Sequence, residues 1–216
     1  PNVNQVEKRK PIAWKQGWTK DKTRILSSSG GIALSLIRRF ILDGGYVASC
    51  CYKQEKFIFD ITNDFEISKQ FAGSKYVKSN PIGIYNKIKK IVKDNKVLFI
   101  GLPCQVAALK NVVKSDNLYT VDLICHGTPS HKLFEKYILE KKYKLNTIKE
   151  VKFRTNEDMG LCINGKKINH NRVIYEYLCA FLEAIDYTEN CYMCQYASLE
   201  RVSDITLGDS WGTEYI

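Results

Sequence analysis

At 216 residues the chain can form one large domain or two small ones, and 44% hydrophobic with 26% charged residues is the balance of a globular protein with a real core. No apolar run approaches the roughly 18 residues of a membrane span, and the polar, basic stretch from Pro1 to Lys10 does not read as a signal peptide. The formal charge of +10 comes from scattered lysines, not from a basic stripe with interleaved aromatics, so nucleic acid is not an expected partner.

Eight cysteines without a secretory signal point to a reducing, cytoplasmic setting in which thiols serve metal or redox chemistry. In chain order, Ile12-Ala13-Trp14 is a short strand candidate. Ser27-Ser28-Ser29-Gly30-Gly31 then opens a helix through Ile32, Leu36, Ile37, Phe40 and Ile41, closed by Gly44-Gly45. Backbone N–H groups and hydroxyls at the positive end of a helix make a natural phosphate seat. Plain N-capping accounts for one serine, but not for three serines and two glycines. Tyr46 to Tyr52 and Phe57 to Thr62 read as strands of a hairpin across Lys53-Gln54-Glu55-Lys56. Cys50 and Cys51 must face opposite ways in the first strand, which suits buried structural thiols. Phe65 to Phe71 predicts a short helix ahead of the polar loop Gly73-Ser74-Lys75-Tyr76, whose lysine is placed to meet an anion. Asn80-Pro81 starts a helix through Ile84, Ile88 and Ile91.

Two βα units follow. Val97-Leu98-Phe99-Ile100 runs into Gly101, and Pro103 offers a first-turn proline for a helix through Val106, Leu109 and Val113. Leu118 to Ile124 ends at Cys125, and Pro129-Ser130 introduces a helix through Leu133, Tyr137 and Ile138. Consecutive βα units make a parallel pair, so Cys104 and Cys125 land at the carboxyl edge of one sheet, where open α/β sheets hold ligands. Ile148 to Arg154 predicts a strand, and Leu161 to Ile168 a hairpin around Asn164-Gly165. Ile174, Tyr177, Leu178, Phe181, Leu182 and Ile185 form one helix face, with Cys179 and Cys162 expected to be packed. Cys191-Tyr192-Met193-Cys194 occupies a turn-like stretch, and Ser203 to Asp209 is a strand entering a tight turn. The expected fold class is α/β: a mixed, partly parallel sheet flanked by helices, with the cysteine site at strand carboxyl ends.

Four thiolates from a helix start, a strand end and one C-x-x-C suit zinc or an iron–sulfur cluster. Structural zinc usually takes two short knuckles, whereas here two ligands would arrive singly from separate strand ends.

Ser27 to Gly31, Gly73-Ser74-Lys75-Tyr76-Val77, Gly101-Leu102-Pro103-Cys104-Gln105, Asp122 to Ser130, Cys191 to Cys194 and Arg201 to Gly212 together resemble the coenzyme F-420 hydrogenase/dehydrogenase beta-subunit family. The motifs stand in the family's order from Ser27 to Gly212. The resemblance implies an iron–sulfur flavoprotein with FAD beside a 4Fe–4S cluster, exchanging hydride at the flavin and single electrons through the cluster. Carried over by motif, Cys104, Cys125, Cys191 and Cys194 would be the metal ligands. Ser27, Ser28, Ser29, Gly30 and Gly31, with Gly73, Ser74, Lys75 and Tyr76, would hold the flavin's phosphates and ribityl chain. Gln105 and His126, beside two ligands, become candidates for catalytic contacts or a proton relay. The implied partners are a redox substrate or deazaflavin-like carrier and a ferredoxin-like segment or protein. The chain departs from the family at Leu102, often Thr, and at Phe153-Arg154-Thr155-Asn156…Gly160-Leu161, where relatives carry a Phe-Arg-Asp-Lys…Gly-Trp pattern. Residues 1–95 would carry the flavin loops and 96–216 the cysteines, within one continuous catalytic domain truncated at both ends and preceded in its parent by a ferredoxin-like segment. A zinc-stabilised, non-catalytic α/β interaction domain is the alternative.

Overall fold

Strand β3, Val97–Gly101, is buried at every residue, so helices must cover both faces of the sheet it centres. The computed structural model, which describes residues 6–154, 159–168 and 175–210, builds that sheet from five strands. β1, Tyr46–Lys53, and β4, Leu118–Leu123, flank β3 in parallel, and β8, Ile205–Leu207, extends the parallel run beyond β4. β2, Lys56–Thr62, is the antiparallel edge beside β1. The sheet draws β1 and β2 from residues before 95 and β3, β4 and β8 from residues after it.

Helix α1, Ile32–Leu42, covers one face, packing Leu34 and Ile37 against Val47, Leu98, Ile100 and Val121. Its end is set by Gly44, at φ 83°, which lets Gly45 N–H reach back to the Phe40 carbonyl. Helices α3, Ile84–Ile91, and α4, Pro103–Val112, cover the other face around Ile88, Val106 and Phe99. Cys50 and Cys51 do point to opposite faces: Cys51 is fully buried on the α1 side, and Cys50 packs on the α3–α4 side. The β1–β2 turn is made by Gln54 and Glu55, both at positive φ, as a two-residue hairpin requires.

A third core sits apart from the sheet faces and is mostly aromatic. Helix α5, His131–Glu140, and α6, Glu176–Leu182, pack Phe134, Tyr137, Tyr177 and Phe181 against Phe153, Leu161 and Ile163. The last three come from and beside a small antiparallel sheet of β5, Val151–Lys152, β6, Cys162–Ile163, and β7, Lys166–Lys167, whose turn at Asn164-Gly165 is the predicted one. Two short helices remain, α2, Phe65–Ser68, and α7, Glu189–Tyr192. Among the described residues no helix is long and apolar enough to cross a membrane.

Several local expectations need correction. Ile12-Ala13-Trp14 is no strand: the chain bends at Ile12, Ile12 and Trp14 are exposed, and the nearest backbone pairing is the isolated Arg9–Arg201 bridge. The helix after Asn80-Pro81 begins later, at Ile84, because Asn80 Oδ1 accepts the Ile82 N–H and Gly83 turns at φ 82°. The strand over 148–154 shrinks to two residues. Helix α6 stops at Leu182 before Ala184 and Asp186, both at positive φ, which leaves Leu182 and Ile185 exposed. Cys179 is exposed, since Tyr177, Leu178 and Phe181 take the buried face and residue 179 points away from it. Ile174 and Trp211-Gly212 lie outside the described residues.

Short β8 gains support from Asp204, whose Oδ2 accepts from Thr120 N–H and Oγ1 at 2.7 Å each, with Lys110 at 3.4 Å from Oδ1. Burial works against this carboxylate, but the Thr120 hydrogen bonds and the Lys110 charge outweigh it and hold its pKa below the usual aspartate range. A folded-state pKa below the unfolded one means the unfolded chain binds more protons in acid. The stabilisation is therefore present above pH about 4 and is lost as the pH falls through the folded value. Asp204→Asn should melt at a lower temperature than the parent at neutral pH, and the two melting curves should converge in acid.

Candidate functional site

The carboxyl ends of β3, β4 and β8 lie side by side, and the chain leaves each of them into a segment bearing chemistry. After β3 the chain turns into α4, with Pro103 in its first turn and Cys104 next to it. Gln105 fixes that turn: its Oε1 accepts the Leu102 N–H at 2.9 Å, and its Nε2 donates to Ser79 Oγ at 3.0 Å. The side chain is buried, with both ends of its amide engaged inside the protein.

After β4 the segment Cys125 to Ser130 runs against residues 186–188. Thr188 N–H donates to Thr128 O at 3.0 Å and Ser130 N–H to Asp186 O at 2.9 Å. This pairing aims the following helix, α7, so that Cys191 meets the β4 end. Thr188 Oγ1 lies 3.1 Å and Thr128 Oγ1 3.6 Å from Cys191 Sγ. Cys194 follows α7, and its neighbourhood is tied down from the N-terminal side. Lys8 Nζ donates to Gln195 O and sits 5.6 Å from the Tyr196 ring centre, while Arg9 and Arg201 exchange two backbone hydrogen bonds of 2.8 Å.

The four thiols feel one another. Burial pushes the Cys104 thiol up, and Cys194 and Cys191 add to that. Cys125 is pushed up to about 11, first by burial and then by Cys104, Cys191 and Cys194, against a backbone hydrogen bond from Gly127. Cys191 is held low: burial opposes its charge, but the Thr188 and Thr128 hydrogen bonds and the Lys78 charge prevail. Among the described residues no group of three or more His, Cys, Asp and Glu side chains is closed to metal-coordinating geometry. The structure thus brings the four predicted thiols into one neighbourhood of mutual influence without drawing them into a coordination shell.

His126 stands at the rim, exposed, with Nε2 3.1 Å from Leu182 O. Its ring meets Phe181 and Tyr187 edge-on at 5.4 and 5.9 Å. A carbonyl only accepts, so Nε2 carries the proton and Nδ1 is left as the acceptor.

The serine–glycine loops form a second seat. Ser74 N–H donates to Ser28 Oγ at 2.8 Å, and Gly73, at φ 82°, leaves room for that contact. Gly30 O accepts from Thr19 N–H at 2.8 Å. A Cβ on Gly31, at φ 77°, would stand 2.6 Å from Thr19 Cγ2. Ser27, Gly73 and Ser74 line a cavity of about 60 Å³ together with Lys152 and Arg154. Ser29 is exposed beside it. Lys75 does not supply the positive charge there. Its ammonium donates to Phe71 O and Ala72 O at 2.7 and 2.8 Å, and burial pushes its pKa down. Tyr76 stacks on Phe181 at 4.6 Å, so one aromatic wall joins this seat to His126.

Sequence reasoning singled out no role for Arg154, Thr128, Thr188 or Tyr187. Thr128 and Arg154 both sit inside quoted stretches, Arg154 in the Phe153-Arg154 pair that keeps the start of the family's pattern, but neither is given a role there.

The family described as the C terminus of the coenzyme F420 hydrogenase/dehydrogenase beta subunit matches residues 94–215, which takes in all four cysteines. Among solved structures, the chain resembles one in the xenon-derivatised F420-reducing NiFe hydrogenase complex from Methanosarcina barkeri, at 18% identity and a TM-score of 0.63. The similarity covers 89% of this chain and 68% of that one, and at this identity it is a likeness of fold. None of the curated proteins matches the chain.

Gly127 shows how tightly the rim is built. It sits at φ 140°, and a Cβ there would stand 1.9 Å from Tyr187 Cε2. Gly127→Ala must displace that ring, and should cost about 2–4 kcal/mol in denaturant unfolding. Gly83→Ala, at φ 82° but with open space around it, should cost only about 1–2 kcal/mol.

Proposed function

Because the chain belongs to the coenzyme F420 hydrogenase/dehydrogenase beta-subunit family, we propose that it is a flavin-dependent oxidoreductase module. In this reading Cys104, Cys125, Cys191 and Cys194 hold a 4Fe–4S cluster, and the Ser27–Gly31 and Gly73–Tyr76 loops hold FAD. The observation that supports it is the shared neighbourhood of four thiols, from the first turn of α4, the segment after β4, and α7 with the turn that follows it. Cys104 feels Cys191 and Cys194, and Cys125 feels all three of the others. The donor set fits: it is all sulfur, partly buried, with hydroxyl and lysine partners that favour thiolate at Cys191. The loops border a small cavity in which Ser27, Gly73, Ser74, Lys152 and Arg154 stand beside Ile25, Leu26, Ala72 and Val151. The two cations are paired to Glu150 and Asp209, and in this reading a nucleotide phosphate enters there.

When bound, these groups supply two-electron exchange with a redox substrate or deazaflavin-like carrier and one-electron transfer to a ferredoxin-like partner. The chain's own residues do the rest. Thr188 and Thr128 donate to the Cys191 sulfur and so tune the ligand's basicity. Gln105 holds the first turn of α4 and thereby the direction of Cys104. His126, with its tautomer set by the Leu182 carbonyl, offers Nδ1 as a proton acceptor at the rim. The buried Phe181, Tyr187 and Tyr177 exclude water between the two seats.

A zinc site on the same four thiolates, in a non-catalytic domain, is the second reading, favoured by the same all-sulfur donor set. Serine at Cys104, Cys125, Cys191 or Cys194 should lower iron and acid-labile sulfide by roughly half or more in anaerobically prepared protein, because a cluster needs every ligand. Serine at Cys51 or Cys179 should leave both unchanged. One zinc per chain and no sulfide, with the same four residues required, would keep the ligands and discard the redox function. Iron indifferent to all four would discard the site.

A further inference from the structure

Arg154 is the most heavily used buried cation among the described residues. Its side chain is 5% exposed. Nε donates to Ser28 O at 2.8 Å, joined by Nη2, and Nη1 lies 2.7 Å from Asp209 Oδ2 and 3.5 Å from Tyr76 Oη. Ser28 in turn accepts the Ser74 N–H. One guanidinium therefore ties together the Ser27–Gly31 loop, the Gly73–Tyr76 loop, the end of β5 and the turn after β8, four segments far apart in sequence. A planar fork of fixed donors suits this work, and a lysine would reach only one or two of the acceptors. Burial works against the Arg154 charge, and the Asp209 carboxylate is the group that offsets it.

We propose that Arg154, oriented by Asp209, is the positioning residue that locks the two serine–glycine loops into a single oxyanion seat. Its donors at Ser28 O, Asp209 and Tyr76 make it a shaper of the seat; Lys152 beside it is paired with Glu150 at 3.1 Å, and a ligand oxyanion would draw it away from that carboxylate. The cavity beside the loops, about 60 Å³, is on the scale of a few waters or one tetrahedral oxyanion. The ligand class is thus a phosphate of a nucleotide, entering phosphate first. This rests on the flavin reading above only for the identity of the nucleotide. The latch itself is a property of the chain, and it makes the turn after β8 a control on the geometry of loops that begin before β1.

The test compares Arg154→Met, Arg154→Lys, Asp209→Asn and the Met/Asn double variant with the parent. Amide hydrogen exchange at residues 27–31 and 73–76 is followed without ligand, and FAD binding by quenching of its fluorescence. Arg154→Met should speed exchange of the Ser74 amide, and weaken FAD, by about ten-fold or more, the effect of losing a charge-assisted hydrogen bond. Arg154→Lys should recover part of both. Asp209→Asn should give a smaller loss, and the double variant should be no worse than Arg154→Met alone, since the two act as one unit. Folded Arg154→Met with unchanged exchange in both loops overturns the latch. If that variant does not fold, Asp209→Asn and Arg154→Lys with parental exchange and parental FAD binding overturn it equally. Loops loosened as expected in a protein whose parent binds no FAD would keep the latch and reject the flavin assignment instead.

Discussion

The backbone pairing of residues 128–130 with 186–188 is the contact on which the cysteine neighbourhood depends. Neither stretch belongs to a regular strand, yet two hydrogen bonds near 3 Å and the Tyr187 ring seated over Gly127 join them. Without that join, Cys125 would end a sheet strand and Cys191 would sit on a four-residue helix with nothing to aim it. A helix of that length has little stability of its own. Its direction comes from Thr188 at its start, which gives its N–H to Thr128 O and stands 3.1 Å from the Cys191 sulfur. Cys191 is brought toward Cys125 because the chain is paired at Thr188, three residues before one, with Thr128, three residues after the other.

Strand β8 poses a similar question, since three residues of parallel ladder hold little. It is pinned instead by charge on both sides. Arg201 reaches Asp122 Oδ1 through Nη2 at 2.8 Å and Nε at 3.3 Å, and Arg154 holds Asp209 just past the strand. Asp122 is wholly buried, and its Oδ2 has no hydrogen-bond partner among the described residues. Such pairs are poor sources of net stability. Removing one partner is nevertheless expensive, on the order of 3–5 kcal/mol, because a buried charge is left behind. Their value here is register: they fix which residues of β8 lie beside the β4 end that carries Cys125, and where the turn after β8 meets the serine–glycine loops.

Much of this was legible in the sequence where a local signal and the tertiary context agree. The two βα units announce themselves through an apolar run, Pro103 in one helix's first turn and Ser130 capping the other, where its Oγ accepts the Leu133 N–H. The Asn164-Gly165 hairpin is announced by its turn residues, and the Asn164 side chain adds hydrogen bonds to Thr147, Lys149 and Glu150. The failures have equally specific causes. Ile12-Ala13-Trp14 has the composition of a strand but no edge to pair with. Lys75 reads as a loop lysine free to meet an anion, and burial turns it onto its own backbone carbonyls. Cys179 sits among apolar residues in sequence, but the helical period carries it to the outer face. Arg154 is visible only as the second residue of the Phe153-Arg154 pair, and its partners Ser28, Tyr76 and Asp209 lie too far off in sequence to reveal what it holds.

The aromatic core explains why two seats on one sheet edge keep a fixed relation. Tyr76 belongs to the loop that closes the phosphate-sized cavity, and it stacks on Phe181 of α6. Phe181 also meets His126, and its carbonyl accepts the Tyr187 hydroxyl at 2.6 Å. Tyr177, one turn earlier on α6, donates its hydroxyl to Tyr76 O at 2.7 Å. Helix α6 is therefore bonded to both seats at once, and through Tyr177 the same face is packed among Phe134, Tyr137 and Phe153. Large rings interlocked at close-packed density leave few alternative arrangements. Loops form both seats, and α6 is the element that joins them, through Tyr177 on one side and Phe181 on the other.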